Sequence, residues 1–265
     1  MIKKLFLGLY ISMVFEAGIL CQKPIEVSYE KDNSGEYTFI AINNNYCDYT
    51  LEVNFPELSN LRSTTAIPYK GVIMPGRHYL FKLTKISKGV TPSFRYKFNY
   101  LKGCYNAKVN KDFIYILPIA PGKETNVFKI NFLGSTYFGE QEPKDWYALG
   151  FKVKPGDTIY AARKGIVDEI RDTTFLKGTD FSFARSENFI EIYHSDCTFG
   201  RYGVMKQGGS LVKLGDVVEA GQPIGIDAGD KYTTGSHLRF SVYYQFIEEA
   251  RKMDGTKVGV LERIS

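Results

Sequence analysis

The sequence predicts an all-β protein: an immunoglobulin-like β-sandwich followed by a second β-domain of a different kind. Two observations carry this. Val, Ile, Thr, Tyr and Phe recur in short alternating runs, and aromatics reach 15%, nearly all of them Tyr and Phe. Those residue types suit a pleated, half-buried surface. Gly, Pro and Asn turns separate the runs at even spacing, the pattern of sandwiches and barrels. No helical periodicity lasts long enough to compete; the best short helical candidate is Gln245 to Lys252.

At 265 residues the chain has room for one or two domains with full cores. The formal net charge of +5 is too mild to argue for nucleic acid or an anionic membrane surface. Residues 1–21 read as a secretory signal: Lys3 and Lys4 begin it, and Leu5 to Val14 supply an apolar stretch. That stretch is too short for a membrane span, so no span is expected after signal removal. Cys21 would be lipidated only in a lipoprotein signal, which wants a small residue where Leu20 stands.

Residues 22–118 form the expected sandwich. Alternation marks Ile25 to Tyr29, Tyr37 to Ile42, Tyr49 to Phe55, Tyr79 to Leu83 and Phe94 to Tyr100. Turn chemistry lies between them at Asp32-Asn33-Ser34-Gly35, Asn43-Asn44-Asn45, Pro75-Gly76 and Lys88-Gly89. No cluster of catalytic residue types appears, and His78 reads as a surface histidine. Export permits disulfides. Cys47 and Cys104 are the expected pair, with two unpaired buried thiols as the alternative and Cys197 as the odd thiol.

Leu117-Pro118-Ile119-Ala120-Pro121-Gly122-Lys123 breaks the strand run and reads as an inter-domain joint, so the second domain is set at residues 119–265. Near its end, Thr233-Thr234-Gly235-Ser236 turns into the alternating strand His237-Leu238-Arg239-Phe240-Ser241-Val242-Tyr243-Tyr244. Residues two apart on a strand share a face, so His237 and Arg239 point the same way. Upstream, Gly215-Asp216-Val217-Val218-Glu219-Ala220-Gly221-Gln222-Pro223-Ile224-Gly225 reads as turn, strand, turn, strand.

These two stretches resemble the LytM/lysostaphin-type zinc endopeptidases, which cut peptide cross-links in bacterial cell walls. The family pattern is a Gly-Asp-x-Val-x-x-Gly-Gln-x-Ile-Gly run, then a Gly-x-His-x-His-Phe strand. The run is intact here, and the strand carries Arg239 where its second His belongs. The resemblance covers slightly over half the chain. It implies a zinc held by a His, an Asp and that second His, with two further histidines assisting catalysis. Such a site needs three protein ligands and an open position for water.

Residue by residue, the implied site is missing. Leu149-Gly150-Phe151 stands where the family has Leu-Asp-Phe, so the Asp position is Gly150. The first His position falls on Pro143 or Trp146, by family branch. The catalytic His of the Tyr-x-His-Leu turn is Val204, within Tyr202-Gly203-Val204-Met205, while His237 remains as a remnant of the catalytic set. A permanently charged guanidinium beside the metal position would also repel a dication. Glu140, Glu142 and Asp145 could offer substitute ligands in the alternative reading, or pair with Arg239.

The expectation is therefore a non-catalytic, exported LytM-type protein of the bacterial cell envelope, with no cofactor. It would bind a peptidoglycan stem peptide or regulate a wall hydrolase. A retained groove could use Arg239, Tyr202, Tyr147 and His194, with Arg239 suited to a peptide carboxylate. The alternatives are a zinc endopeptidase with atypical ligands and a structural or adhesion scaffold. A Cys197–His194 nucleophilic pair is the weakest candidate chemistry.

Overall fold

The computed structural model describes residues 23–131, 141, 147–175, 186–228, 237–251 and 257–264, with side chains described as far as Tyr244. Seven strands fill the first part: β1 (Ile25–Lys31), β2 (Tyr37–Asn43), β3 (Tyr49–Ser59), β4 (Leu61–Ser63), β5 (Tyr69–Ile73), β6 (Gly76–Lys85) and β7 (Ser93–Lys102). They make a four-stranded sheet in the order β1-β2-β6-β4 and a three-stranded sheet in the order β5-β3-β7. Inward residues of both sheets meet in one cluster, with Phe39 and Leu83 from one and Leu51, Val53 and Ile73 from the other. This is the two-layer packing of a sandwich. Phe39 and Phe81 stack at 4.9 Å, with Tyr96 edge-on and Phe94 tilted against Phe39. The abundant aromatics thus fill the sandwich interior.

The proline-rich joint does not stand free. Ile119 is buried in the core of the second part. The Ile116 amide donates to the Ala162 carbonyl at 3.1 Å, the Tyr160 amide donates to the Pro118 carbonyl at 3.2 Å, and Lys123 pairs with Asp157.

The second part contains β8 (Val127–Lys129), β9 (Leu149–Lys152), β10 (Thr158–Tyr160), β11 (Gly165–Arg171), β12 (Phe189–Tyr193), β13 (Phe199–Gly203), β14 (Met205–Ser210), β15 (Val217–Val218), β16 (Pro223–Asp227), β17 (His237–Arg251) and β18 (Lys257–Ile264). The large sheet runs β15-β11-β12-β13-β17-β9-β8, with β18 beside β17; the small one runs β10-β16-β14. Ile190, Ile192, Tyr202, Leu238 and Phe240 of the large sheet pack against Ile159, Met205 and Ile224 of the small one.

The helix expected at Gln245 to Lys252 is not formed: β17 continues as strand to Arg251. It is held by β18, in a ladder from Tyr244↔Ile264 to Arg251↔Lys257. Pairing with a Val- and Leu-containing partner strand overrides a short local preference.

The opposite face of the large sheet meets the sandwich. Tyr193, Phe199 and Tyr243 belong to the same buried cluster as Cys47, Tyr49 and Leu51. At that seam the Cys47–Cys104 disulfide expectation is overturned. Cys104 is bonded to Cys197, with Cα atoms 5.9 Å apart, and Cys47 is a free buried thiol. The reason is topological: Cys104 leaves β7 toward the large sheet and meets the β12–β13 hairpin there. The bridge joins the two parts rather than stapling one.

Candidate functional site

Three neighbouring strands bring together residues that the resemblance assigns to the family's site. Across β9, β17 and β13 the register pairs Gly150 with Arg239 and Arg239 with Gly203. Val204 follows Gly203 directly, and His237 lies one step along β17, opposite Lys152. Alternation puts Leu238 and Phe240 into the core and leaves His237 and Arg239 on the other face. Gly150, His237 and Arg239 therefore share one face, with Gly203 beside Arg239 and Val204 next in the chain. Pro143, Trp146, Glu140, Glu142 and Asp145 lie outside the described residues.

That face is covered by protein. A Cβ at position 150 would stand 2.6 Å from Cε2 of the Phe128 ring. Phe128 on edge strand β8 thus lies where an Asp side chain would begin, and its ring meets His237 edge-on at 5.6 Å. His237 is buried. On the other side, Arg239 Nη1 donates to Glu187 Oε2 at 2.9 Å, with both side chains largely shielded from water. A Cβ at Gly203 would stand 2.6 Å from Glu187 Oε1, so glycine makes room for that carboxylate. Among the described residues, an acid that meets Arg239 is Glu187, just before β12.

Val204 keeps one unusual feature. It is buried with φ at 68°, a left-handed backbone that a β-branched residue rarely adopts. Such a residue costs about 1–3 kcal/mol. The turn between β13 and β14 takes this conformation although the side chain is aliphatic.

Two expected groove residues are in the core. Tyr202 is fully buried, and its hydroxyl accepts the Ala162 amide at 2.7 Å. His194 is fully buried, and its Nδ1–H donates to the Lys164 carbonyl at 2.9 Å. Burial holds its imidazole down at about 4, so it is neutral at physiological pH. Neither lines a groove; both position strands. Tyr147 is exposed, as a surface role requires. Cys197 is in the disulfide and is no nucleophile. Burial pushes the Cys47 thiol well up, which leaves it unreactive. His78 is partly exposed, with Nε2 2.9 Å from the Met74 carbonyl.

At the seam the sandwich contributes a cation to the large sheet. Lys102 Nζ lies 2.6 Å from Asp168, 3.0 Å from Glu169 and 2.5 Å from Glu191. Glu191 Oε2 also accepts the Tyr243 hydroxyl at 2.6 Å. Asp168 and Glu191 have no exposed side-chain surface. Lys102 is held charged: burial opposes this, but Glu191 and Asp168 outweigh it. A cavity of about 250 Å³ lies elsewhere, between Val109, Lys111, Tyr115, Val242 and Tyr244, and does not touch Gly150, Val204, His237 or Arg239.

Sequence reasoning missed Phe128, Glu187 and Lys102. Glu187 had a signal, because a buried arginine calls for a carboxylate. Phe128 and Lys102 had none, since neither lies in a family motif.

Residues 144–254 match the model of peptidase family M23, and that segment is of the M23 type. No curated protein matches the chain. Among solved structures, a chain of the SpoIIQ–SpoIIIAH pore-forming complex is similar at 16% identity and TM-score 0.35, covering 55% of this chain and 87% of that one. The M23 metalloprotease pseudoalterin from the deep sea is similar at 16% identity and TM-score 0.32, covering 58% and 98%. A zinc-containing peptidase from Vibrio cholerae is similar at 13% identity and TM-score 0.34, covering 91% and 86%.

The described residues do not fit the family's zinc. Gly150 and Val204 offer no donor atom, and Arg239 adds a fixed positive charge already paired with Glu187. Phe128 stands in the remaining space.

Proposed function

We propose that this is a non-catalytic M23-type protein of the bacterial cell envelope that works by binding. The observation that carries this is the row Gly150–Arg239–Gly203, in which the Phe128 ring and the Arg239–Glu187 pair stand where zinc ligands would converge. A basic, apolar leader supports export. Among the described residues no helix is long and apolar enough to cross a membrane. The M23 segment supports a partner among wall peptides or wall hydrolases. Of these, regulation of a wall hydrolase is favoured, because Arg239 already has a carboxylate and is not poised to capture one from a stem peptide.

The test keeps the disulfide intact. The purified chain is incubated with excess zinc without reductant, desalted, analysed for metal and assayed on purified peptidoglycan, alone and with wall hydrolases. The expected result is no zinc that depends on His237, no cleavage by the chain alone, and a changed rate for a hydrolase in its presence. Stoichiometric zinc lost in His237→Ala, together with cleavage, would establish the zinc-endopeptidase alternative instead.

A further inference from the structure

The seam between the two parts carries a group of ligand atoms unrelated to the M23 position. Asp48, Cys104 and Cys197 each offer one such atom, and all three atoms lie within 4.8 Å of one another. Asp48 Oδ2 is 3.6 Å from Cys104 Sγ. The Tyr193 hydroxyl is 3.6 Å from Cys104 Sγ and 3.3 Å from Cys197 Sγ. Tetrahedral zinc with about 2.3 Å to sulfur and about 2.0–2.2 Å to oxygen has ligand–ligand edges of roughly 3.5–3.8 Å. The Asp48–Cys104 and Tyr193–Cys104 spacings, both 3.6 Å, already have that size, and the Tyr193–Cys197 spacing is 3.3 Å. The sulfur–sulfur bond is much shorter, and reduction removes it.

We propose that Asp48, Cys104 and Cys197 form a redox-gated metal site, closed as a disulfide and opened by a dithiol reductant to take a thiophilic divalent cation such as Zn²⁺. The reductant gives two electrons and two protons to the sulfur–sulfur bond, yielding two thiols and its own disulfide. The cation then displaces both thiol protons to solvent and binds two thiolates and the Asp48 carboxylate. The Tyr193 hydroxyl or a water takes the fourth position.

The backbone around these atoms is fixed independently of the disulfide. The Gly103 amide donates to the Asp48 carbonyl at 2.7 Å, and the Thr50 hydroxyl donates to the Gly103 carbonyl at 2.8 Å. Asp48 and Cys104 are thereby tied side by side. Cys197 sits in the tight β12–β13 hairpin, where the His194 amide donates to the Thr198 carbonyl at 2.8 Å and the Cys197 amide to the His194 carbonyl at 3.0 Å. Its φ is 66°, at a hairpin position where glycine is the usual choice. A side chain held there against the backbone preference of L-residues is aimed at Cys104, to which it is bonded, and at Asp48. Cys104 is buried, while Asp48 and Cys197 are half-buried, which leaves the cation a way in.

Cobalt reports thiolate ligation by a charge-transfer band, so the test uses Co²⁺ and then Zn²⁺ on the full chain under a phosphine reductant without oxygen. The expected result is about one metal per chain when reduced, with a cobalt–thiolate band, and no such band when oxidised. Cys104→Ser and Cys197→Ser each abolish the band. Asp48→Asn weakens zinc binding by about tenfold or more, in line with the 10–100-fold lost when even an outer partner of a metal site is removed. Cys47→Ser and His237→Ala keep the band, which separates this site from the M23 position. No band in the reduced wild-type chain, whether folded or unfolded by near-UV circular dichroism, overturns the proposal. So does a band that survives Cys197→Ser.

Discussion

Arg239 and Gly150 face each other across the β17–β9 ladder, and the guanidinium turns from Gly150 to reach Glu187 at 2.9 Å. The Arg239 and Glu187 side chains are only 16% and 5% exposed. Removing one partner of a buried pair leaves the other uncompensated, at a cost of about 3–5 kcal/mol when burial is complete. Arg239→Ala and Glu187→Ala are each expected to destabilise by about 2–4 kcal/mol, slightly less because Arg239 is partly wet. The double variant should lose clearly less than the sum. Urea unfolding of the four chains measures the coupling, and strict additivity would show that the pair does not hold this place together.

The Gly150–Phe128 contact makes a second prediction about the same place. Gly150→Ala puts a methyl group against the Phe128 ring. Overpacking of this kind costs about 1–3 kcal/mol. Because β8 is an edge strand paired only with β9 among the described residues, part of that cost should be relieved by moving the ring. Phe128→Ala in the Gly150→Ala background is then expected to cost less than Phe128→Ala alone. Thermal unfolding of the three variants decides this; a Gly150→Ala chain as stable as wild type would mean that Phe128 does not fill the position.

The assignment of Gly150, Val204 and His237 to family positions rests on local pattern: short runs around each of them carry the resemblance on their own. Their convergence follows from register, which a motif implies but does not display. What was not legible came from long range. Glu187 reaches Arg239 over 52 residues and Lys102 reaches Glu191 over 89. No periodicity relates such positions. Tyr202 and His194 could be groove residues or packed interior on sequence grounds, and both side chains lie in packed interior. The alternation of β17 was read correctly as far as Tyr244. Beyond it, the absence of a visible partner strand made Gln245 to Lys252 look helical.

The disulfide pairing shows the same limit, and it can be checked directly. Proteolytic mapping without reduction is expected to recover a Cys104–Cys197 cross-link, with Cys47 alkylated only after denaturation. The cross-link spans 93 residues of sequence. A loop of that length contributes about 4–5 kcal/mol in the chain-entropy model. Cys104→Ser should therefore destabilise by a few kcal/mol, whereas Cys47→Ala should cost about 1 kcal/mol, the loss of a small buried side chain. A Cys47–Cys104 peptide in the map would reverse this assignment.

Two buried groups that titrate between acid and neutral pH, Asp168 and His194, make opposing pH dependences. Burial raises Asp168 to about 7, against the pull of Lys102 and with the help of Glu191. Between about pH 4 and 7 the folded chain keeps a proton on Asp168 that the unfolded chain has lost. That contribution to stability is full below about pH 4 and is lost as pH rises through about 7. His194 runs the other way. Burial lowers it from 6.5 to about 4, so its contribution is full above 6.5 and is lost as pH falls through about 4. Each group alone gives a slope of at most about 1.4 kcal/mol per pH unit. Over pH 4 to 6.5 the slopes cancel in part, and these two groups leave the wild-type chain with a nearly flat stability profile there. Asp168→Asn removes one side of the balance, so its stability is expected to rise with pH across that window by up to about 1 kcal/mol per unit relative to wild type. Urea unfolding at four pH values measures the difference. An identical profile for the two chains would mean that Asp168 is ionised in the fold and that Lys102 alone sets its charge.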